Sequence, residues 1–263
     1  MKIIDRPSPN FSPRSQDPDM VIIHYTDMPT AESALKRLCD PKTKVSAHYL
    51  ISKTGEIYRL VPEDKAAHHA GVSHWRGRDS LNQYSIGIEL DNPGHAAGKL
   101  KPFPDVQMES LMELIRDIRT RHKIHDWNII GHSDVAPDRK KDPGELFDWQ
   151  RLARRDIGLW PETGSIWEWG QWALLGVCMI SIWDRGHYPY IFGKRVRRPK
   201  DVMEAQKLLH AIGYKVLLTG EMDKETEFAI LAFQRHFCTE SLGKGLDSGT
   251  QKMLTRVAKT FQR

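Results

Sequence analysis

Cysteine is scarce in this chain: Cys39, Cys178 and Cys238 are the only three among 263 residues, and no two stand in a CxxC spacing. That excludes a disulfide framework and a cysteine-based zinc cluster, and leaves three separate thiols in packed positions. Charge of one sign is also missing. The 39 Lys and Arg residues exceed the 34 Asp and Glu residues by a net +5. This excess is too small and too dispersed for a nucleic-acid footprint, and no aromatic-basic stripe accompanies it. It suits an acidic polymer better. The N-terminal MKIIDRPSPNFSPRSQDPDM lacks the apolar core of a secretory leader, so the sequence as written is expected in the cytoplasm. No apolar run reaches the roughly 20 residues of a spanning helix. The longest uncharged one, WGQWALLGVCMISIW at 169–183, is bounded by Glu168 and Asp184. It reads first as a connector packed on the protein body, then as an interfacial membrane contact, and last as a span.

What is present is ordinary globular material, 40% hydrophobic and 28% charged, enough for one large domain and one small one. Apolar runs at 20–26, 46–52, 55–61, 85–90 and 128–132 read as strands, and 30–39, 105–122 and 147–157 as amphipathic helices. In the second helix Met108, Leu111, Met112, Leu114, Ile115 and Ile118 share a face. The alternation predicts an α/β (α+β) domain over residues 1–160, a mixed central sheet flanked by helices. Residues 161–198 are expected to form an apolar and then basic connector, its basic run GKRVRRPK marking the start of a small three-helix domain over 199–263.

Strand alternation decides which side chains leave the core. In SIGIEL, Ser85, Gly87 and Glu89 share one face, so Glu89 stands in a cleft or in solvent beside a glycine. In VIIHYT, His24 shares a face with Ile22 and Thr26, and NIIGH is read as a strand ending on His132. Most of the twelve histidines have no partner suggested by spacing. His24, His132 and Asp142 differ: two imidazoles and a carboxylate are the ligand types of a catalytic zinc site with an open fourth position. Spacing alone leaves that reading open beside chance. In the loop GHSDVAPDRKKDPG, Pro143 favours an extended Asp142, Gly144 tolerates any following angle, and Lys140 projects to the same side as Asp142.

The words VIIHYTD, VSAHYLIS, AHHAGVSHWRG, NQYSIGIEL and GHSDVAPDRKKDPG, in this order, resemble the AmpD/AmiD group of N-acetylmuramoyl-L-alanine amidases, the amidase type 2 family, over residues 1–160. The resemblance implies a Zn2+ hydrolase. Its reaction cuts the amide between N-acetylmuramic acid, 1,6-anhydro forms included, and L-alanine of the peptidoglycan stem, in wall turnover or recycling. It implies His24, His132 and Asp142 as zinc ligands, Glu89 as the proton-transfer carboxylate and Lys140 as the second catalytic group. It also implies His69 in the cleft, with Trp75 and Arg76 contacting sugar and peptide, while His48 reads as a structural histidine. Recognition proteins of the same fold normally lose a ligand, and none is lost here. The partners implied are peptidoglycan or muropeptide fragments, and a removed leader would move the site of action to the periplasm.

Residues 199–263 resemble the peptidoglycan-binding type 1 module in VMEAQKLLHAIGYKV and in the Phe233-Gln234 ending of the second helix. The match departs at Lys244-Gly245, where an Asp-Gly turn is usual. The expectation is a separate module that adds wall affinity and leaves the chemistry to the first domain; the alternative is a three-helix domain that only stabilises the catalytic one.

Overall fold

The computed structural model describes residues 2–96, 100–161, 190–191, 194–195 and 199–261. In chain order it forms β1 (Ile3–Asp5), β2 (Phe11–Pro13), β3 (Met20–Tyr25), α1 (Ala31–Cys39), β4 (Tyr49–Ile51), β5 (Ile57–Arg59) and β6 (Lys65–Ala67). The short pair β7 (His74–Trp75) and β8 (Arg78–Asp79), strand β9 (Ser85–Leu90), helix α2 (Asp105–Arg121) and strand β10 (Ile129–Gly131) follow. Two short helices, α3 (His132–Val135) and α4 (Trp149–Ala153), close this part. Helices α5 (Pro199–Ile212), α6 (Lys224–Phe237) and α7 (Ser248–Thr260) make the last. The apolar segment 169–183 lies outside the described residues. Among the described residues no helix is long and apolar enough to cross a membrane.

Six strands form one mixed sheet in the order β1-β5-β4-β9-β3-β10. Only the β4–β5 pairing is antiparallel. Central β3 is buried along its whole length, as expected of a parallel strand covered on both faces. Its odd-numbered residues Val21, Ile23 and Tyr25 join Ile86, Ile88 and Leu90 beneath the apolar face of α2, where Leu111, Met112, Leu114 and Ile115 are fully buried. Its even-numbered residues Met20 and Ile22 face the other way. They share a core with Tyr214, Phe233 and Phe237 of the C-terminal part.

That second core differs from the expectation of a separate module. Met20, Ile22, Trp75, Leu81, Ile130 and Val135 belong to the same buried cluster as Leu209, Ile212, Phe233 and Leu254. Each large apolar side chain buried this way is worth about 1.5–3 kcal/mol, so baring either surface is costly. The seam is also bonded: Arg76 N–H donates to Gly213 O at 3.0 Å and Arg76 Nη1 to Ile212 O at 3.1 Å. Gly213 is required there, with φ +138° and an added Cβ 2.6 Å from Arg76 Cγ.

Local signals place the helix starts. Thr30 Oγ1 accepts from Ser33 N–H, Asp223 from Thr226 N–H and Asp247 from Thr250 N–H, each an N-cap. Asp148 caps α4 in the same way, so this helix is shorter than the expected 147–157. His132 does not end a strand; it opens α3, whose first turn is fixed by Asp134 Oδ2 accepting from Gly131 N–H at 2.8 Å.

Candidate active site and metal centre

The β3–β9 register sets Ile22 opposite Gly87 and His24 opposite Glu89. The C-terminal helices cover the lower end of that sheet face, and the upper end opens as a cleft of about 450 Å³. His24, His69, Glu89, His132, Lys140 and Asp142 all line it. Gly87 provides the room: a Cβ there would lie 2.4 Å from the His69 ring, so this imidazole lies flat over the strand only because residue 87 has no side chain.

Hydrogen bonds fix the ring nitrogens one after another. Ser85 O–H donates to Leu81 O at 2.6 Å, leaving its oxygen to accept from His69 Nε2 at 3.2 Å. His69 Nδ1 is then the acceptor for His24 Nε2–H at 3.0 Å. His132 Nε2–H donates to Ala70 O at 3.1 Å. Both His24 and His132 therefore present a bare Nδ1, and both point at one atom, Asp142 Oδ2, at 2.9 and 3.0 Å. Burial, followed by the neighbouring His132, lowers His24 to about 4, so it carries no second proton at neutral pH.

Three lone pairs facing one point in a low-dielectric pocket repel one another unless a cation sits among them. The ligand atoms of His24, His132 and Asp142 lie within 4.8 Å of one another, and all three residues are buried. Two imidazole nitrogens and one carboxylate oxygen are a borderline-soft to hard donor set that fits Zn2+. The hydrogen bonds from the far nitrogens supply the orientation that metal-bound histidines need.

Glu89 is the complementary case. It is set against the histidines by strand register, and its Oε2 is buried without a hydrogen-bond partner. Burial first, and the Asp142 charge second, push its carboxyl well above the usual range. A carboxyl with raised proton affinity and a free oxygen is built to take up a proton and release it. Lys140 borders the same cleft, held by its backbone N–H to Ala136 O at 3.0 Å.

Two residues expected at the substrate do not stand there. Trp75 is 1% exposed, and its ring meets the Tyr214 ring edge-on at 5.2 Å. Arg76 lies over the Trp127 and Phe261 rings at 5.8 and 5.4 Å. Both side chains seal the seam with the C-terminal helices rather than line the cleft. His48 is structural as expected: its Nδ1 accepts from Gly87 N–H at 3.0 Å, its Nε2 meets Lys65 O at 3.0 Å, and burial followed by Arg14 lowers it to about 3. Sequence reasoning missed Ser85, although it shares a strand face with Gly87 and Glu89. It also missed the rim formed by Tyr25 O–H, His95 and Glu145, bonded at 2.8 and 3.1 Å, which no spacing announces.

Comparison with known proteins agrees with this geometry. A family model described as N-acetylmuramoyl-L-alanine amidase matches residues 14–145, and one described as a putative peptidoglycan binding domain matches 198–241. The chain is 36% identical over 253 residues to the N-acetylmuramoyl-L-alanine amidase AmiD of Escherichia coli K12, covering 92% of this chain and 83% of that protein. It is 37% identical over 165 residues to the 1,6-anhydro-N-acetylmuramyl-L-alanine amidase AmpD of the same organism, covering 56% of this chain and 87% of AmpD. A solved complex of E. coli AmiD with anhydro-N-acetylmuramic acid-L-Ala-D-gamma-Glu-L-Lys superposes with a TM-score of 0.71. Its identity is 34%, over 93% of this chain and 90% of that one.

Proposed function

The chain belongs to the N-acetylmuramoyl-L-alanine amidase family, and from this premise we propose that its cleft hydrolyses the amide joining N-acetylmuramic acid, 1,6-anhydro forms included, to L-alanine of peptidoglycan fragments. The observation that carries the reading is the convergence of two bare imidazole Nδ1 atoms on Asp142 Oδ2, beside a buried carboxyl oxygen of Glu89 without a partner.

In this reading His24, His132 and Asp142 hold Zn2+. When bound, the ion supplies a Lewis acid that polarises the scissile carbonyl and acidifies water at neutral pH. Glu89 Oε2 takes the proton of the attacking water as the carbon–oxygen bond forms, and returns it to the leaving nitrogen as the carbon–nitrogen bond breaks. The Lys140 ammonium faces the oxyanion that develops between those two events. His69 orients His24 through its Nδ1 and borders the cleft. The cationic side chains Arg37, Arg139, Lys140 and Lys141 along the cleft draw in a carboxylate-bearing stem peptide. Residues 1–160 carry the chemistry and 199–263 meet the wall polymer.

The test is direct. The purified chain is incubated with a synthetic N-acetylmuramoyl-L-Ala peptide and its anhydro form, and the products are weighed by mass spectrometry with metal content measured in parallel. About one zinc per chain and release of the intact peptide beginning at L-Ala are expected. An active preparation without metal, or cleavage at another bond, would overturn the reading. Cell fractionation decides between the cytoplasm and the periplasm.

A further inference from the structure

We infer that Tyr214 and His236, both in the C-terminal part, are positioning residues for the metal centre, acting through Asp134. Asp134 is 1% exposed, and its two carboxylate oxygens accept three hydrogen bonds. One comes from Gly131 N–H at 2.8 Å and sets the first turn of α3. The other two come from outside the catalytic part: Tyr214 O–H to Oδ1 at 2.6 Å and His236 Nδ1 to Oδ2 at 2.8 Å. Burial, reinforced by Asp134, keeps the Tyr214 phenol protonated and therefore donating. His236 is fixed in turn by stacking on Trp149 at 3.8 Å and on Phe237 at 3.9 Å.

What Asp134 holds is the turn that carries the ligands. His132 is the first residue of α3, and Ser133 N–H donates to Asp142 O at 2.8 Å, so one short helix locates both an imidazole ligand and the backbone of the carboxylate ligand. A carboxylate this deeply buried needs all its donors. Without Tyr214 and His236, Asp134 turns toward water and releases Gly131, and the Nδ1 of His132 loses its aim. The C-terminal helices thus complete the active site they cover.

The inference rests on the metal reading of His24, His132 and Asp142, and the experiment separates the two. Zn2+ affinity of the full chain is measured by competition with a chromophoric chelator, alongside kcat and KM on a soluble muropeptide. The variants are Tyr214→Phe, His236→Ala, His236→Asn and the double variant Tyr214→Phe/His236→Ala. The double variant is expected to bind Zn2+ about 10-fold more weakly and to lose kcat with KM held, since partners behind metal ligands tune affinity on this scale. His236→Asn, which keeps an N–H near the Nδ1 position, should recover most of the loss. If the double variant does not fold, Tyr214→Phe alone decides, with an expected loss of about 3- to 10-fold. Folded variants with wild-type Zn2+ affinity and kcat would overturn the inference while the metal reading stands. A wild-type chain that binds no Zn2+ would overturn both.

Discussion

Two partly buried carboxylates, one on the sheet and one in the turn after β5, show how differently one residue type can be set. Glu63, near the β4–β5 side, is surrounded by donors: Arg121 Nη2 at 2.9 Å, His122 Nε2 at 2.8 Å and Tyr49 O–H at 2.6 Å. Burial would raise its carboxyl, but hydrogen bonds from Arg121, Tyr49 and His122 outweigh it and bring the group down to about 2. Glu89, on β9, has no donor on its Oε2 and is pushed up instead. A satisfied carboxylate is held in one charge state and locks structure together. An unsatisfied one has its proton affinity raised, which costs stability and is useful only where protons move.

Removing a metal ligand should have the largest effect and break the comparison from the side of Glu89. His132→Ala is expected to lose both bound zinc and measurable turnover, read by metal analysis and muropeptide hydrolysis; retention of either contradicts the ligand assignment. Glu89→Gln comes next. It should keep zinc and substrate affinity while hydrolysis falls by about 10²–10⁴-fold, the usual worth of general acid–base assistance. Release of metal by this variant would make Glu89 a ligand rather than a proton carrier. Lys140→Ala should cost about 10²–10³-fold in kcat, on the scale of one lost oxyanion partner, again with zinc retained.

The smallest effect at neutral pH is expected at the other carboxylate. Glu63→Gln should leave turnover within about twofold, because its network lies away from the cleft lining. Its consequence is in acid. A carboxyl lowered by folding stabilises the protein above its unfolded pKa of about 4.3. That contribution is lost as pH falls towards the folded value of about 2. Acid unfolding followed by circular dichroism should therefore show wild type losing stability across this window and Glu63→Gln losing less. Equal acid slopes would mean the network contributes nothing.

Much of this was legible in the residues themselves. Alternation set Glu89 beside Gly87 in SIGIEL and His24 beside Ile22 in VIIHYT, and β3–β9 pairing brings the two together on one face. The word GHSDVAPDRKKDPG tethered Asp142 to His132, and the structure brings the two together. What stayed hidden depends on contacts distant in sequence. Trp75 and Arg76 read as ligand-binding because the resemblance of the loop HWRG implied it. Their partners, Tyr214 and Gly213, belong to the far end of the chain. Asp134 was passed over because its burial is decided by Tyr214 and His236, far along the chain. The start of α3 at His132 was misjudged because an apolar run gives no sign of where its last carbonyl turns.

The seam around Gly213 also bears on how such an enzyme can be re-engineered or can diversify by recombination. Fusing a different targeting arm after the catalytic part is usually treated as a change of address. Here the new arm would have to meet Trp75 and Ile130 with a matching apolar surface and allow Arg76 the approach that only a glycine gives. A chimera joined at the connector without those contacts inherits a bared sheet face, and its first symptom should be insolubility rather than altered substrate choice.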